Sequence, residues 1–208
     1  MSDTALREPW VSLHRQRECA AFGMWVFIAS EMLFFGGLIM AYAAYRTWWP
    51  HAFALGAGRT DIVFGTVNTC LLVTSSLTMT VASEAARAEM RRLALRCLAA
   101  TALLGLAFLV SKGLEYRKDL HDNLWPGAHF ALADQAARIF FAFYWAMTGV
   151  HAIHLGIGVG ATALLGLQGW RGERPLHSPA FEALSLYWHF VDVVWVILFA
   201  LLYLPGRA

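Results

Sequence analysis

Apolar residues fall in five long runs along the chain, and charged residues, prolines and histidines collect between them. A helix crosses the ~30 Å hydrocarbon layer of a membrane in about 20 residues, at a rise of about 1.5 Å each. All five runs are long enough. They predict an all-α integral membrane bundle of five transmembrane helices, a single membrane domain over residues 1–208, with helices at about 22–45, 62–83, 93–113, 139–167 and 183–204.

The composition agrees with a membrane protein. Hydrophobic residues make up 59% of the 208 positions and charged residues 14%, whereas soluble domains are roughly 25% charged. The formal net charge of +2 is small and spread out, so nucleic acid is not an expected partner. The three cysteines lie far apart without a CxxC pair, which argues against a disulfide framework and against a thiolate metal site.

The distribution of basic residues predicts the orientation. Five spans place the two termini on opposite sides of the membrane. With the amino terminus inside, nine of the 16 Lys and Arg residues face the cytoplasm and seven face the other side. Because basic residues are enriched in cytoplasmic loops, we expect a cytoplasmic amino terminus.

Few polar side chains fall inside the spans. A charged side chain at mid-membrane costs ~2.5–3.5 kcal/mol on insertion scales, so such residues are expected to face protein or water and are candidates for function. One is a glutamate in the first span, Glu31. The others are predicted to form a buried polar network: Asn68, Glu115, His151, His154, Glu182, His189 and Asp192.

The polar positions of the fifth run share one helix face, since successive residues of a helix are about 100° apart. Glu182, Ser185, His189 and Asp192 form this stripe on an otherwise apolar helix. Lipid chains offer these groups no hydrogen bonds, so we expect the stripe to be buried against protein.

The fourth run has two distinct faces. One face carries His151 and His154, and the opposite face carries Gly149, Gly156 and Gly160. Glycines allow the backbones of membrane helices to approach closely. The pattern therefore predicts that this helix packs through its glycines against one neighbour and forms hydrogen bonds with another.

Glu31 allows two interpretations. Its helix face is apolar and aromatic and would keep the carboxyl away from water: Met24, Phe27, Phe34, Phe35 and Leu38. The functional interpretation is a carboxyl that handles protons or gates lipid. The structural one is a protonated Glu31 hydrogen-bonded to His151, to His154 or to a backbone carbonyl.

Two other protein classes use such residues. A free-standing metal or haem protein would use His151, His154, His189 and Asp192 as ligands. An HxxH pair alone is unspecific, and a second ligand pair of the EExxH type is missing from the sequence. A proton-coupled transporter would use Glu31 and Asp192, but such transporters have broken helices, and prolines do not interrupt the five runs.

Each predicted span contains one distinctive segment: GMWVFIASEMLFFGG at 23–37, VNTCLLVTSS at 67–76, SKGLEYRKD at 111–119, TGVHAIHLGIG at 148–158 and YWHFVDVVW at 187–195. Together these segments resemble subunit III of the haem-copper oxidases, the family of cytochrome c oxidase and quinol oxidase third subunits. The last segment is the most specific. The resemblance covers all five spans, and the five-span count is similar to the short form of this subunit, since the long form has seven.

The resemblance implies a non-catalytic subunit of a proton-pumping terminal oxidase in aerobic respiration. It would support subunit I, proton uptake and active-site stability without binding a cofactor itself. Haem and copper are expected in partner subunits, here subunits I and II, and cytochrome c is the expected electron donor to the complex. In this family Glu31 would be the reactive intramembrane carboxyl, with a proton role. Membrane lipids are further expected partners, although the long form's lipid cleft needs the two additional helices.

The same resemblance leaves other branches open. The pairs Ser30–Glu31 and Glu115–Tyr116 look more like the cytochrome c branch. A subunit III of a quinol oxidase, or of a nitric oxide reductase-associated homologue, is the alternative. The expected location is the bacterial inner membrane, as a multi-pass protein.

Overall fold

The computed structural model describes residues 13–127, 130–132, 134–172, 178–205 and 207. The described chain forms six helices: α1 Leu13–Trp48, α2 Pro50–Arg59, α3 Ile62–Arg87, α4 Arg91–His121, α5 Gln135–Arg171 and α6 Pro179–Leu202. Five of them, all except α2, are long and apolar enough to cross a membrane. The predicted all-α fold with five transmembrane helices is confirmed.

The observed helices are longer than the predicted ones. The first begins at Leu13 rather than near residue 22, and the third predicted span, α4, continues to His121 rather than ending near 113. Counting apolar residues measures the hydrocarbon layer, whereas helices continue into the polar regions on either side. In α4 the added turns carry Glu115 and Asp119, which are buried inside the bundle.

The short helix α2 was not predicted. Residues 46–61 were expected to be a connection, but Pro50 occupies the first helical turn, a position at which proline fits without losing a hydrogen bond. One side of α2 is buried, including Phe53 and Gly56. A Cβ at Gly56 would lie 2.4 Å from Phe140 Cδ1 of α5, so α2 packs tightly across α5.

The first turn of α3 is held by a capping carboxylate. Asp61 Oδ1 accepts a hydrogen bond from Val63 N at 3.0 Å, and Asp61 Oδ2 lies 2.6 Å from Lys118 Nζ of α4. Partial burial opposes ionisation of Asp61, but the hydrogen bonds from Lys118 and Val63 outweigh it and lower the pKa of this carboxyl. The capping bond and the ion pair fix the α2–α3 corner to α4.

Helix α6 is the centre of the bundle. It packs against α1, α3 and α5, while α4 lies between α3 and α5. In an 18-residue apolar stretch of α6, half of the residues are buried inside the bundle. In the corresponding stretch of α1, 11% are buried. Two buried tryptophans tie α6 to α3, because Trp188 Nε1 donates to Ser75 Oγ and Trp195 Nε1 to Thr69 Oγ1, both at 3.1 Å.

Within the described chain, no other helix packs closely against the predicted glycine face of α5. A Cβ at Gly156 or at Gly160 would meet nothing within 4 Å, and at Gly149 only the Tyr116 hydroxyl at 3.8 Å. The close approach occurs on the histidine face, where Gly158 lies against Tyr187 and Trp188. The periodicity separated the two faces of α5 correctly, but it carried no information on which face the large α6 side chains would occupy.

Candidate functional site

Glu31 and His154 form a pair between α1 and α5. Glu31 Oε2 lies 3.1 Å from His154 Nε2, and the two side chains are 19% and 16% exposed. His154 Nδ1 lies 2.8 Å from the carbonyl oxygen of Val150, which only accepts hydrogen bonds, so Nδ1 carries a proton. Nε2 of a neutral imidazole is then an acceptor. The short Glu31–His154 contact therefore requires one further proton, held on the carboxyl or on the ring.

The pair lies at the edge of the bundle rather than in its core. Phe35 is buried and meets the His154 ring edge-on at 5.3 Å, and the Tyr187 hydroxyl donates to the backbone oxygen of His154 at 2.8 Å. Phe34, however, is 48% exposed. The described residues therefore surround Glu31 with apolar groups only on part of its surface. In a membrane, lipid or a partner chain contacts the exposed part.

A second polar group, the Lys112 cluster, consists of Lys112, Glu115, Asp119, Tyr144 and Tyr203. Lys112 Nζ lies 2.9 Å from Glu115 Oε2 and donates to the hydroxyls of Tyr144 at 3.0 Å and Tyr203 at 2.7 Å. The Tyr203 hydroxyl donates to Glu115 at 2.7 Å, and that of Tyr144 lies 2.8 Å from Asp119 Oδ2. All five residues are at most 4% exposed. Their hydrogen bonds join α4, α5 and the end of α6 inside the bundle.

Of the Lys112 cluster, only Glu115 is among the polar residues predicted from the sequence. Lys112 lies at the end of the predicted span 93–113, and Asp119 lies beyond it. Their spacing was the missed signal, because positions 112, 115 and 119 fall on one helix face if α4 continues past 113. Tyr144 and Tyr203 carry no such signal, since aromatic residues in membrane helices are common.

The polar stripe of α6 faces α3, and within this chain Asp192 is buried while Glu182, Ser185 and His189 are half-buried. His189 Nδ1 lies 2.8 Å from Ser76 Oγ, and His189 Nε2 lies 3.5 Å from Thr80 Oγ1. Asp192 is 7% exposed. Glu182, also half-buried, lines a separate polar pocket with Arg87 and Ser83 where α1, α3 and α6 meet.

Asn68 and His151 are fully buried without a side-chain hydrogen bond to any residue that the structure describes. His151 lies between the rings of Phe108, at 5.7 Å, and Trp195, at 5.1 Å. The seven predicted network residues are therefore not one network. They divide among the Glu31 pair, the Lys112 cluster, the α3–α6 face, the pocket lined by Glu182, and the two groups without a side-chain hydrogen bond, Asn68 and His151.

The ligand set of the metal hypothesis does not assemble. His154 turns toward α1, His189 toward α3, and His151 toward the aromatic rings between α4 and α6. Among the residues that the structure describes, there is no group of three or more His, Cys, Asp or Glu side chains that could hold a metal ion. The geometry gives the membrane metalloprotein hypothesis no support.

Comparison with known proteins identifies the class of membrane protein. The family model for cytochrome c oxidase subunit III matches residues 13–207, so the chain belongs to this family. The chain is subunit III of a haem-copper oxidase, as the segments at 23–37 and 187–195 predicted.

Three relatives illustrate the range of the family. Cytochrome c oxidase subunit 3 of Thermostichus vulcanus is 32% identical, covering 93% of this chain and 91% of its own length. Cytochrome bo(3) ubiquinol oxidase subunit 3 of Pseudomonas aeruginosa is 28% identical over 89% of this chain and 84% of its own length. Heme-copper oxidase subunit I+III of Aeropyrum pernix is 29% identical over 87% of this chain, which matches 22% of that longer protein.

Proposed function

We propose that this chain is a non-catalytic subunit that packs against subunit I of a proton-pumping terminal oxidase and supports its proton uptake and stability. The match to a relative whose name joins subunits I and III in one chain carries this proposal. A covalent fusion keeps two modules at high effective concentration, which suits subunits that function in contact. The haem and copper of the complex then belong to partner subunits I and II.

Purification tests this proposal. A tag on this chain, mild-detergent extraction, identification of the co-purifying proteins and an optical spectrum give the composition and the haem content together. We expect subunits I and II in near-equal amounts with this chain, and a haem spectrum. Recovery of the chain without oxidase subunits would contradict the proposal.

The Glu31–His154 pair is the candidate proton-handling site. The hydrogen bond from His154 Nδ1 to the carbonyl of Val150 leaves one proton to be shared between Glu31 and Nε2. Such a pair holds and releases a proton without a large movement of either side chain. The pair lies at the edge of the bundle. This position supports exchange of the shared proton with a neighbouring subunit or with water, rather than a purely internal hydrogen bond.

We assign cytochrome c as the electron donor, on the resemblance of the Ser30–Glu31 and Glu115–Tyr116 pairs to that branch and on the cytochrome c oxidase name of the Thermostichus vulcanus relative. Oxygen consumption by the purified complex with reduced cytochrome c and with ubiquinol separates the two branches. We expect turnover with cytochrome c. Turnover with ubiquinol alone would assign the complex to the quinol branch.

We propose that the chain lies in the bacterial inner membrane, on its resemblance to the short form of the subunit, and that its amino terminus is cytoplasmic, on the count of nine basic residues against seven. Single cysteines at Met90 and Asp122, in a chain whose native cysteines are replaced, report the two ends of α4. An impermeant maleimide added to spheroplasts should label position 122 and leave position 90 unlabelled. The reverse pattern would invert the topology.

A further inference from the structure

The Tyr144 hydroxyl has more polar neighbours than one phenol hydrogen can serve. Its oxygen lies 3.0 Å from Lys112 Nζ, 2.9 Å from Glu115 Oε1 and 2.8 Å from Asp119 Oδ2. A phenol donates one hydrogen bond and accepts two, whereas an ammonium can only donate. Lys112 therefore donates to Tyr144, and the Tyr144 hydrogen serves one of the two carboxyls. The contact with the other carboxyl needs a hydrogen of its own, because two bare oxygens this close repel each other.

The Lys112 ammonium does not supply that hydrogen. Its three N–H groups donate to Glu115 Oε2, at 2.9 Å, and to the hydroxyls of Tyr144 and Tyr203, at 3.0 and 2.7 Å. Glu115 also accepts a hydrogen bond from Tyr203 at 2.7 Å. A cation and a hydroxyl that both donate to one carboxyl stabilise its ionised form, so Glu115 is the carboxylate of the cluster. The additional hydrogen then belongs to Asp119.

The charges of the Lys112 cluster lead to the same result. One ammonium and two carboxylates would leave one negative charge in excess, among residues that are at most 4% exposed. A buried charge without compensation is strongly unfavourable. One proton on Asp119 makes the cluster neutral, with one ammonium, one carboxylate, one carboxylic acid and two phenols.

The other ionisable groups near Asp119 lie toward the surface. Lys118 of the same helix pairs with Asp61 of α3 at 2.6 Å, and the side chains of His121 and Asp122 are 91% and 50% exposed. From α5 and the end of α6, the facing groups are the two tyrosines of the cluster. Asp119 is the least buried member of the cluster and lies two residues before the end of α4. It is therefore the member closest to water.

We propose that the Lys112 cluster is a proton-binding site, in which Asp119 holds one proton against the Tyr144 hydroxyl and exchanges it with water at the end of α4. On release, the O–H bond of Asp119 breaks, the proton passes to water, and the cluster keeps one uncompensated negative charge. The assignment concerns this chain alone and does not depend on the proposed function. It gives the chain a proton-holding site separate from the Glu31–His154 pair.

Infrared spectroscopy of the protein purified through a tag on this chain tests the assignment, because a carboxylic acid and a carboxylate absorb at different frequencies. At neutral pH we expect a carboxylic-acid band that Asp119→Asn removes and that transfer into D2O shifts. Asp122→Asn is the matched control, since it changes an exposed carboxyl at the same helix end and should keep the band. Identical bands in wild type and Asp119→Asn would overturn the proton on Asp119. A band that D2O leaves unshifted would overturn its exchange with water.

The pH dependence of stability provides an independent measurement. Asn is neutral at every pH, whereas the Asp of an unfolded chain ionises near pH 3.9. Above that pH the folded wild type binds one proton more than the unfolded chain, so its stability falls as the pH rises. The Tm of the wild type should fall relative to that of Asp119→Asn by roughly 3–5 °C per pH unit, until the folded cluster releases its proton. A wild type that gains stability relative to the variant as the pH rises, or a constant difference, would overturn the assignment.

A second variant keeps the assignment testable if Asp119→Asn does not fold. Tyr144→Phe keeps both carboxyls and the aromatic ring, but it removes the oxygen that accepts the hydrogen bond from Asp119. The infrared band of the carboxylic acid should therefore change in frequency. A spectrum of Tyr144→Phe identical to that of the wild type would overturn the assignment.

Discussion

Replacement of Lys112 by methionine tests the Lys112 cluster directly. Methionine keeps an unbranched apolar stem but removes the ammonium, which contacts Glu115 at 2.9 Å, Tyr144 at 3.0 Å and Tyr203 at 2.7 Å. Glu115 then remains fully buried with tyrosine hydroxyls as its donors and without its cation. Removing one partner of a buried ion pair costs ~3–5 kcal/mol, so we expect a large loss of stability.

The assay is thermal unfolding of subunit III in the purified complex. For a chain of this length 1 kcal/mol corresponds to ~2–4 °C in Tm, so Lys112→Met should lower the Tm by roughly 6–20 °C. Lys118→Met is the matched control: it is the same residue type on the same helix, its side chain is 53% exposed, and the loss of its solvent-exposed ion pair with Asp61 should lower the Tm much less than the loss of a buried ion pair. Equal Tm values for the two variants would refute the reasoning.

A double variant separates the ion pair from packing. Glu115→Gln removes the carboxylate, so in Lys112→Met/Glu115→Gln neither charge is left alone. We expect the double variant to be more stable than the sum of the two single losses predicts, since residues in one network are energetically coupled. Strict additivity would show that the cost of Lys112→Met is a packing effect.

Three further perturbations follow from the other contacts. Glu31→Ala and His154→Ala should leave the haem spectrum of the complex unchanged and weaken sustained proton pumping; a shifted haem band would place the pair beside a redox centre. Asp61→Asn should lower the Tm of the chain at neutral pH. The difference in Tm from wild type should shrink as the pH falls below the usual Asp pKa of about 3.9, because a lowered pKa means that only the ionised carboxyl stabilises the fold. A difference in Tm that stays constant down to pH 3 would contradict this. Gly105→Ala should destabilise the chain by ~1–3 kcal/mol, because the new Cβ would lie 2.7 Å from Val159 Cγ2. Gly113→Ala on the same helix is the control, since the space around Gly113 is open. Equal Tm values for the two variants would contradict the tight packing at Gly105.

The apolar pattern predicted the fold because a membrane span is almost entirely a matter of length. It failed at α2, where the buried contacts of Phe53 and Gly56 with α5, rather than length or composition, stabilise a short helix. It also ended the third span, α4, near residue 113, because the charged residues around this point, Lys112 and Glu115 among them, lower the hydropathy of the chain. Those charges neutralise one another inside the bundle, and a hydropathy count does not detect such pairing.

The polar residues show the same limit. Of the partners named for Glu31, the structure selects His154, since both lie on facing sides of α1 and α5. Spacing along a helix identifies the polar face but not the neighbour that it meets. The sequence therefore places Asp192 on the polar stripe of α6, while its burial between α6 and α3 is visible only in three dimensions.

The most direct test of the central claim is to separate this subunit from the purified complex and measure haem and metal on both fractions. We expect subunits I and II to keep the haem bands and the copper, and the separated chain to carry neither. Stoichiometric metal or a haem band on the separated chain would contradict its assignment as a non-catalytic subunit.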